Sequence, residues 1–260
     1  MNPHTFEKMG ARIHVIHSPI QKRWVPPSGG AIRGLTIDVR GDTFLVNKTD
    51  DTELVVLNAD IKGKHLLLMA RDESTGRNNK FLCGYDEREW FVASVPREST
   101  GVADAKDRLM PLEARFSQLR NGVKGKKKHS RHNKGFIRQG EWFFIPAGEV
   151  SVDKTKVLKN EPLTRGGGSK PHMVQELYRT GGENVHVHFE YAQFGITDTE
   201  YSALSEKKRR APGWRMMKRN PDVFAKGQVR HADHQTVTLR GWCRVRINRE
   251  VSTQTVAFLD

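Results

Sequence analysis

Short stretches in which apolar and polar residues alternate recur along most of the chain, and a two-residue period fits a half-buried β-strand better than any other element. ARIHVIH (11–17), GLTIDVR (34–40), ELVVLNA (53–59), KHLLLMA (64–70), KFLCGY (80–85) and REWFVASV (88–95) are separated by Gly, Asp and Asn turns and are expected to pair as short antiparallel strands. The period then changes. Val102, Ala105, Leu109, Leu112, Phe116 and Leu119 recur at spacings of three and four, the apolar stripe of a helix. Thr100 is placed to cap it, with Asp104 near the positive end of its dipole. Pro111, inside the stripe, predicts a kink or two helices, the second with proline in its first turn.

Alternation resumes in GFIRQGEWFFIP (135–146), ENVHVHFEYA (183–192), QTVTLRGWCRVRIN (235–248) and TQTVAFL (253–259). Between these lie the glycine-rich loop LTRGGGSKPH (163–172) and a helical, basic segment, DTEYSALSEKKRRAPGWRMMKR (198–219). The chain therefore reads as mainly β, in two modules. Residues 1–120 form an N-terminal antiparallel β domain closed by a helix, 121–134 a basic connector, and 135–260 a C-terminal cupin-like or related small β-barrel domain.

Charge is concentrated rather than spread. The 260 residues hold 44 Lys+Arg against 30 Asp+Glu, a formal charge of +14, and the window Ala114–Gly140 supplies nine of those units because it has nine Lys or Arg and no carboxylate. Such a surface attracts polyanions, and nucleic acid, RNA or DNA, is the expected partner. Lys124, Lys126, Lys127, Lys128, Arg131, Lys134 and Arg138 are interleaved with glycine and histidine and suit a mobile loop that neutralises phosphates. Lys207, Lys208, Arg209 and Arg210 stand near Trp214, whose indole is a candidate platform for an unpaired base. The longest aliphatic block, HLLLMA (65–70), is too short to cross a bilayer, so no membrane association is expected. With only Cys83 and Cys243, no CxxC and no secretory leader in MNPHTFEKMG, neither a disulfide framework nor a thiolate zinc site is indicated, and a cytoplasmic location is expected.

The stretch RHADHQTVTLRGW (230–242) carries the most distinctive chemistry. His231, Asp233 and His234, with His172 from SKPH, are suitable ligands for zinc, iron or manganese. On an extended strand His231 and Asp233 share a face while His234 points away, so the set converges only if the chain turns or bulges at Ala232–Asp233. His186 and His188, two apart, share one strand face and suit either two ligands or the polar side of a sheet. The string DHQTVTLRGWCRVRIN has the spacing of an HNH-type nuclease motif at Asp233, His234, Thr236, Arg240, Gly241 and Asn248. However, Ala232 stands where that motif carries its first histidine, and a continuous strand would replace its hairpin and helix. Asp86, Glu87 and Glu89 in YDERE read as a hairpin turn, with a paired carboxylate site as the alternative.

RQGEWFFIP, then SKPH, then VRHADHQTVTLRGWCRVRINRE resembles, over the C-terminal half, a family of small bacterial and phage β proteins of unassigned function with the pattern QGDVLL-P, TGHAH, HxEH and a strand ending near QRE. The resemblance implies a cupin-like or related small barrel. It matches His172 to the second histidine of TGHAH, and His231, Asp233 and His234 to HxEH, while Lys170 stands where the first histidine of the pair would be. Three functions are expected from the sequence: a nucleic-acid-binding accessory protein, a metal-dependent enzyme built on the histidine cluster, or a scaffold subunit whose basic segments are ordered by an assembly partner.

Overall fold

The computed structural model describes residues 3–17, 32, 34–164, 170–250 and 258–259. Arg165–Ser169 of the glycine-rich loop and residues 253–257 of the last expected strand lie outside them. The protein is mainly β, and the described residues form two compact units. The first holds the chain up to Arg115, then Lys124–Ser130, then the described residues from Asn248; the second holds Phe116–Val123, Arg131–Ile247 and the final strand.

In the first unit, helix α1 (His4–Met9) leads into β1 (Arg12–His17), and β2 (Thr36–Arg40) and β3 (Thr43–Lys48) make a hairpin. That hairpin leaves β3 between the other two, so β1 pairs with β3 in parallel, contrary to the all-antiparallel expectation. Strands β4 (Thr52–Asp60), β5 (His65–Asp72), β6 (Asn78–Asp86) and β7 (Glu89–Val95) follow as an antiparallel meander. YDERE is the β6–β7 turn, with Asp86 opposite Glu89. The HLLLMA block is explained by burial on both faces of β5. Leu66 and Leu68 join Phe6, Phe44 and Val46 in one core, while Leu67 packs with Val102, Ala105 and Leu109 in another.

The expected helix is two helices, α2 (Val102–Leu109) and α3 (Leu112–Arg120), broken at Pro111. Its cap differs from the expectation: Gly101 holds the cap position, and the Asp104 carboxylate accepts the Thr100 N–H (2.9 Å) while Asn58 Oδ1 of β4 accepts the Val102 N–H (3.0 Å). The apolar stripe also stops at the break. Leu112, Phe116 and Leu119 are exposed, and α3 buries Ala114, Ser117 and Gln118 instead. Gly135 explains that choice, because a Cβ there would come within 2.8 Å of the Gln118 backbone nitrogen; the approach is too close for bulky side chains.

The second unit contains β8 (Ile137–Gln139), β9 (Trp142–Pro146), β10 (Leu158–Leu163), β11 (His172–Thr180), β12 (Glu183–His188), β13 (Ala192–Ile196), helices α4 (Asp198–Ser202) and α5 (Glu206–Arg209), then β14 (Arg215–Arg219), β15 (Asp222–Arg230), β16 (Val237–Ile247) and β17 (Phe258–Leu259). The expected helical segment 198–219 is helical only in its first half. Pro212 and Gly213 (φ +107°) end it, and 215–219 pair with β12 as a strand. One sheet has the order β10-β11-β15-β16-β9-β8 and the other β13-β12-β14-β17. The expected barrel does not close: β10, with Pro162 in it, and β8 are free edges, and a proline suits an edge because it cannot donate to a ladder. Even so the six-stranded sheet curls, with register shifts between Val174 and Glu176 and between Ala225 and Gly227. Its core is Phe144, Leu163, Val174, Leu177, Ala225, Val229, Leu239, Cys243 and Val245.

Within the first unit Asp107 of α2 binds Lys128 Nζ (2.6 Å) and His129 Nε2 (2.8 Å), fastening a 3-10 turn, Gly125–His129, to the helix. Burial, the largest single influence on this carboxyl, pushes its pKa up, yet the bonds from Lys128 and His129 outweigh it and the net shift is downward. A carboxyl lowered in the fold stabilises fully above its unfolded pKa, about 3.9, and that contribution is lost as pH falls through the folded value. Asp107→Asn is therefore expected to cost about 1–3 kcal/mol in urea unfolding at pH 7, and the difference from the unsubstituted protein should shrink progressively as pH falls below about 3.9.

Candidate metal centre

Antiparallel pairing builds the site. β11 begins at His172 and β15 ends at Arg230, and their register sets Met173 opposite Arg230, so His172 and His231 fall next to each other at one end of the sheet. The chain then bends through Ala232–His234 before β16 begins, as the ligand reading required, and this returns His234 to the same side. Ligand nitrogens of His172, His231 and His234 all lie within 4.8 Å of one another. The rings are nearly parallel, with centroids 4.2 Å apart for His172 and His231, 4.5 Å for His231 and His234, and 5.5 Å for His172 and His234.

The third wall comes from the β8–β9 turn, which the curl of the sheet carries across to β15. Gln139, fully buried, donates its amide to the carbonyls of Val229 (3.2 Å) and Gln235 (2.7 Å). Both amide hydrogens are thereby committed, so Gln139 Oε1 accepts from His172 Nδ1 at 2.9 Å. That bond fixes the His172 tautomer: Nδ1 carries the proton and Nε2 presents a lone pair, the arrangement in which metal-binding histidines are held by their neighbours. His172 is 2 % exposed, and burial first, then the charges of His231 and His234, push its pKa down to about 3. It is a neutral imidazole at physiological pH. Glu141 Oε2 lies 3.9 Å from His172 Nε2 and brings a carboxylate to the cluster. Gly140, between Gln139 and Glu141, has φ +56°, and a Cβ there would come within 2.8 Å of His234 Nε2.

Asp233 is not brought into the cluster, against expectation. Both its carboxylate oxygens lie 2.8 Å from Lys170 Nζ, and that bond holds its pKa below the ordinary value. Its backbone N–H meanwhile donates to His231 Nδ1 (3.1 Å), and His231 Nε2 faces the Lys170 carbonyl (3.3 Å). Lys170 therefore takes the acidic residue as its partner. Gln139, Gly140 and Glu141 were not among the expected site residues. RQGEWFFIP was conspicuous as part of the family-like pattern, but no periodicity or spacing ties a β8–β9 turn to histidines on β11 and beyond β15.

The other expected sites are arranged differently. His186 and His188 do share a face, but neither is a ligand in a cluster and neither faces open solvent. His188 is buried, donates from Nε2 to the Pro212 carbonyl (3.1 Å) and accepts the N–H groups of Glu190 and Tyr191 at Nδ1, while His186 bonds Asp198 (2.7 Å) and stacks on Tyr201. Trp214 is not a free platform, since its indole donates to the Lys208 carbonyl (2.9 Å) and its ring packs against Tyr201 and His188. The 124–138 stretch is not a bare loop. Lys128 is held by Asp107, Arg138 donates to the Gly140 carbonyl, and the stretch is divided between the two units; Lys124, Lys126, Lys127, Arg131 and Lys134 are exposed. Cys83 and Cys243 are buried free thiols.

Two substitutions probe this geometry. Gly140→Ala adds a Cβ in a left-handed conformation against His234 and is expected to cost roughly 1–3 kcal/mol in thermal or urea unfolding and to shift the His234 ring resonances. Gln139→Leu leaves two carbonyls and His172 Nδ1 without their partner and is expected to cost about 2–3 kcal/mol.

Comparison with protein-family models, with curated proteins and with solved structures finds no match to this chain.

Proposed function

We infer that the chain is a metal-dependent protein whose centre is the His172, His231 and His234 triad, with Glu141 as the adjacent carboxylate, and that its activity is metal-assisted attack by water on a substrate. The observation that carries this reading is the convergence of three imidazoles within 4.8 Å around a histidine whose tautomer Gln139 has already set. To hold an ion the three nitrogens would draw together, and His231 would give up one of its two bonds, to the Asp233 N–H or to the Lys170 carbonyl, to offer a lone pair. Imidazole nitrogens with one carboxylate suit zinc, iron or manganese and leave a position open. An ion held this way acts as a Lewis acid towards a water or a substrate oxygen. The protein's own contribution is to orient His172 through Gln139 and to keep its Nε2 unprotonated.

Protein purified without a histidine tag and reconstituted separately with Zn(II), Fe(II) and Mn(II) is expected to retain close to one equivalent of one of them by elemental analysis. His172→Ala and His234→Ala should lose it, and Gln139→Leu should bind roughly 10–100-fold more weakly. Asp233→Asn should keep it, because Asp233 faces Lys170. No retained metal after reconstitution, or unchanged binding in His234→Ala, overturns the assignment.

A further inference from the structure

The β13-β12-β14-β17 sheet exposes aromatic and thioether side chains that a soluble sheet ordinarily covers. Phe189 and Tyr191 in the β12–β13 turn, Phe194 on β13 and Met216 on β14 are all exposed, Phe189 to 74 % and Phe194 to 65 %. Two of these rings, Phe189 and Tyr191, are held rather than loose. Phe189 and Tyr191 each stack on the buried His188 ring, with centroids 4.9 and 4.6 Å away, and His188 is itself locked by three hydrogen bonds.

Beside them sits a fixed cluster of cations. The Trp214 indole binds the Lys208 carbonyl and the Tyr201 hydroxyl binds the Arg209 carbonyl (3.1 Å), so two aromatic side chains of the sheet and α4 tie down the backbone of α5. Lys208 Nζ lies over the Tyr191 ring at 5.8 Å, which places the cations directly next to the exposed rings. Lys207, Lys208 and Arg209 on α5 and Arg210 at its C-terminal cap are exposed, as are Arg215 and Lys218 on β14. Arg210 pairs with Glu206, but among the described residues no carboxylate pairs with Lys207, Arg209, Arg215 or Lys218.

We propose that this surface binds single-stranded nucleic acid, with bases stacking on Phe189 and Phe194 and phosphates held by the cations of α5. Flat rings anchored beside unpaired cations match a strand whose bases are free to stack and whose backbone is an anion, and a base-paired duplex offers no such faces. An anionic membrane is a poorer match. Exposed cations alone would also attract an anionic leaflet, but rings backed flat against a buried imidazole offer stacking faces rather than apolar side chains free to insert among acyl chains. Trp214 is here a positioning residue that holds α5, and the stacking passes to residues that sequence alone did not single out.

The test uses the full chain and fluorescence anisotropy with a twelve-nucleotide oligo-U RNA, the matching oligo-dT DNA and a duplex of equal length, over a salt series. Binding of either single strand in preference to the duplex is expected, and the RNA and DNA arms show which sugar is favoured. Four phosphate contacts from Lys207, Lys208, Arg209 and Arg210 give a slope of log K against log salt of about −3 on a single strand. Replacing Lys207, Lys208, Arg209 and Arg210 together by Gln should remove most of that slope. Phe189→Ala and Phe194→Ala should each weaken binding roughly five- to hundredfold with the slope unchanged. Both phenylalanines are exposed, and unchanged circular dichroism will verify that the variants fold. Three results overturn the proposal: wild-type affinity in both phenylalanine variants, equal flattening of the slope by Lys124, Lys126 and Lys127 replaced by Gln, or binding to phosphatidylserine-containing vesicles with none to either oligonucleotide.

Discussion

The buried amide of Gln139 is the interaction on which the histidine site depends. A primary amide has two hydrogens and one oxygen, and here each has one assigned destination: two main-chain carbonyls from different parts of the sheet and one imidazole N–H. The two carbonyls are on Val229, in β15, and on Gln235, just past the bend, so the same side chain ties together the strand before the histidine turn and the strand after it. Leaving any of these groups unpaired in the interior is costly, and the geometry of the turn is correspondingly fixed. The open sheet therefore achieves locally what a closed barrel achieves with a complete ring of strand pairs.

Positive charge is managed in three ways. Some cations are neutralised in place, as Lys128 is by Asp107, Lys170 by Asp233 and Arg219 by Glu183. Some serve the main chain, as Arg138 does at Gly140. Among the described residues, Lys207, Arg209, Arg215 and Lys218 are exposed without an acidic partner. Net charge alone does not separate these classes, because a lysine in a salt bridge and a lysine facing solvent count equally in a composition.

Much of the fold was legible because alternation is a local property. The strands at 11–17, 34–40, 53–59, 64–70, 80–85 and 88–95, and the break at Pro111, follow from residues adjacent in sequence. What was not legible came from partners far apart in the chain. The parallel β1–β3 pairing is set by where β3 inserts, and the exposure of Phe116 and Leu119 by a glycine at 135 that lets a backbone approach the opposite face of α3. For the site, His231, His234 and the need for a bend between them were readable from spacing, while His172 was matched to them through the resemblance. Asp233 was misassigned because its competitor, Lys170, lies 63 residues away in sequence. Gln139 and Glu141 carried no spacing signal, Phe189 read as an ordinary strand residue, and Phe194 fell between the expected elements.

The first unit includes residues made long after the rest of it. The Ser94 N–H donates to the Glu250 carboxylate (3.0 Å), and the Arg249 N–H donates to the Leu109 carbonyl (2.8 Å). During synthesis the β4–β7 meander and α2 emerge well before Arg249 and Glu250, at about 5–20 residues per second. For on the order of ten seconds the nascent unit lacks these two contacts, while nearly all of the second unit is still being made. The first unit thus begins folding early but cannot be completed until nearly all of the second has been translated.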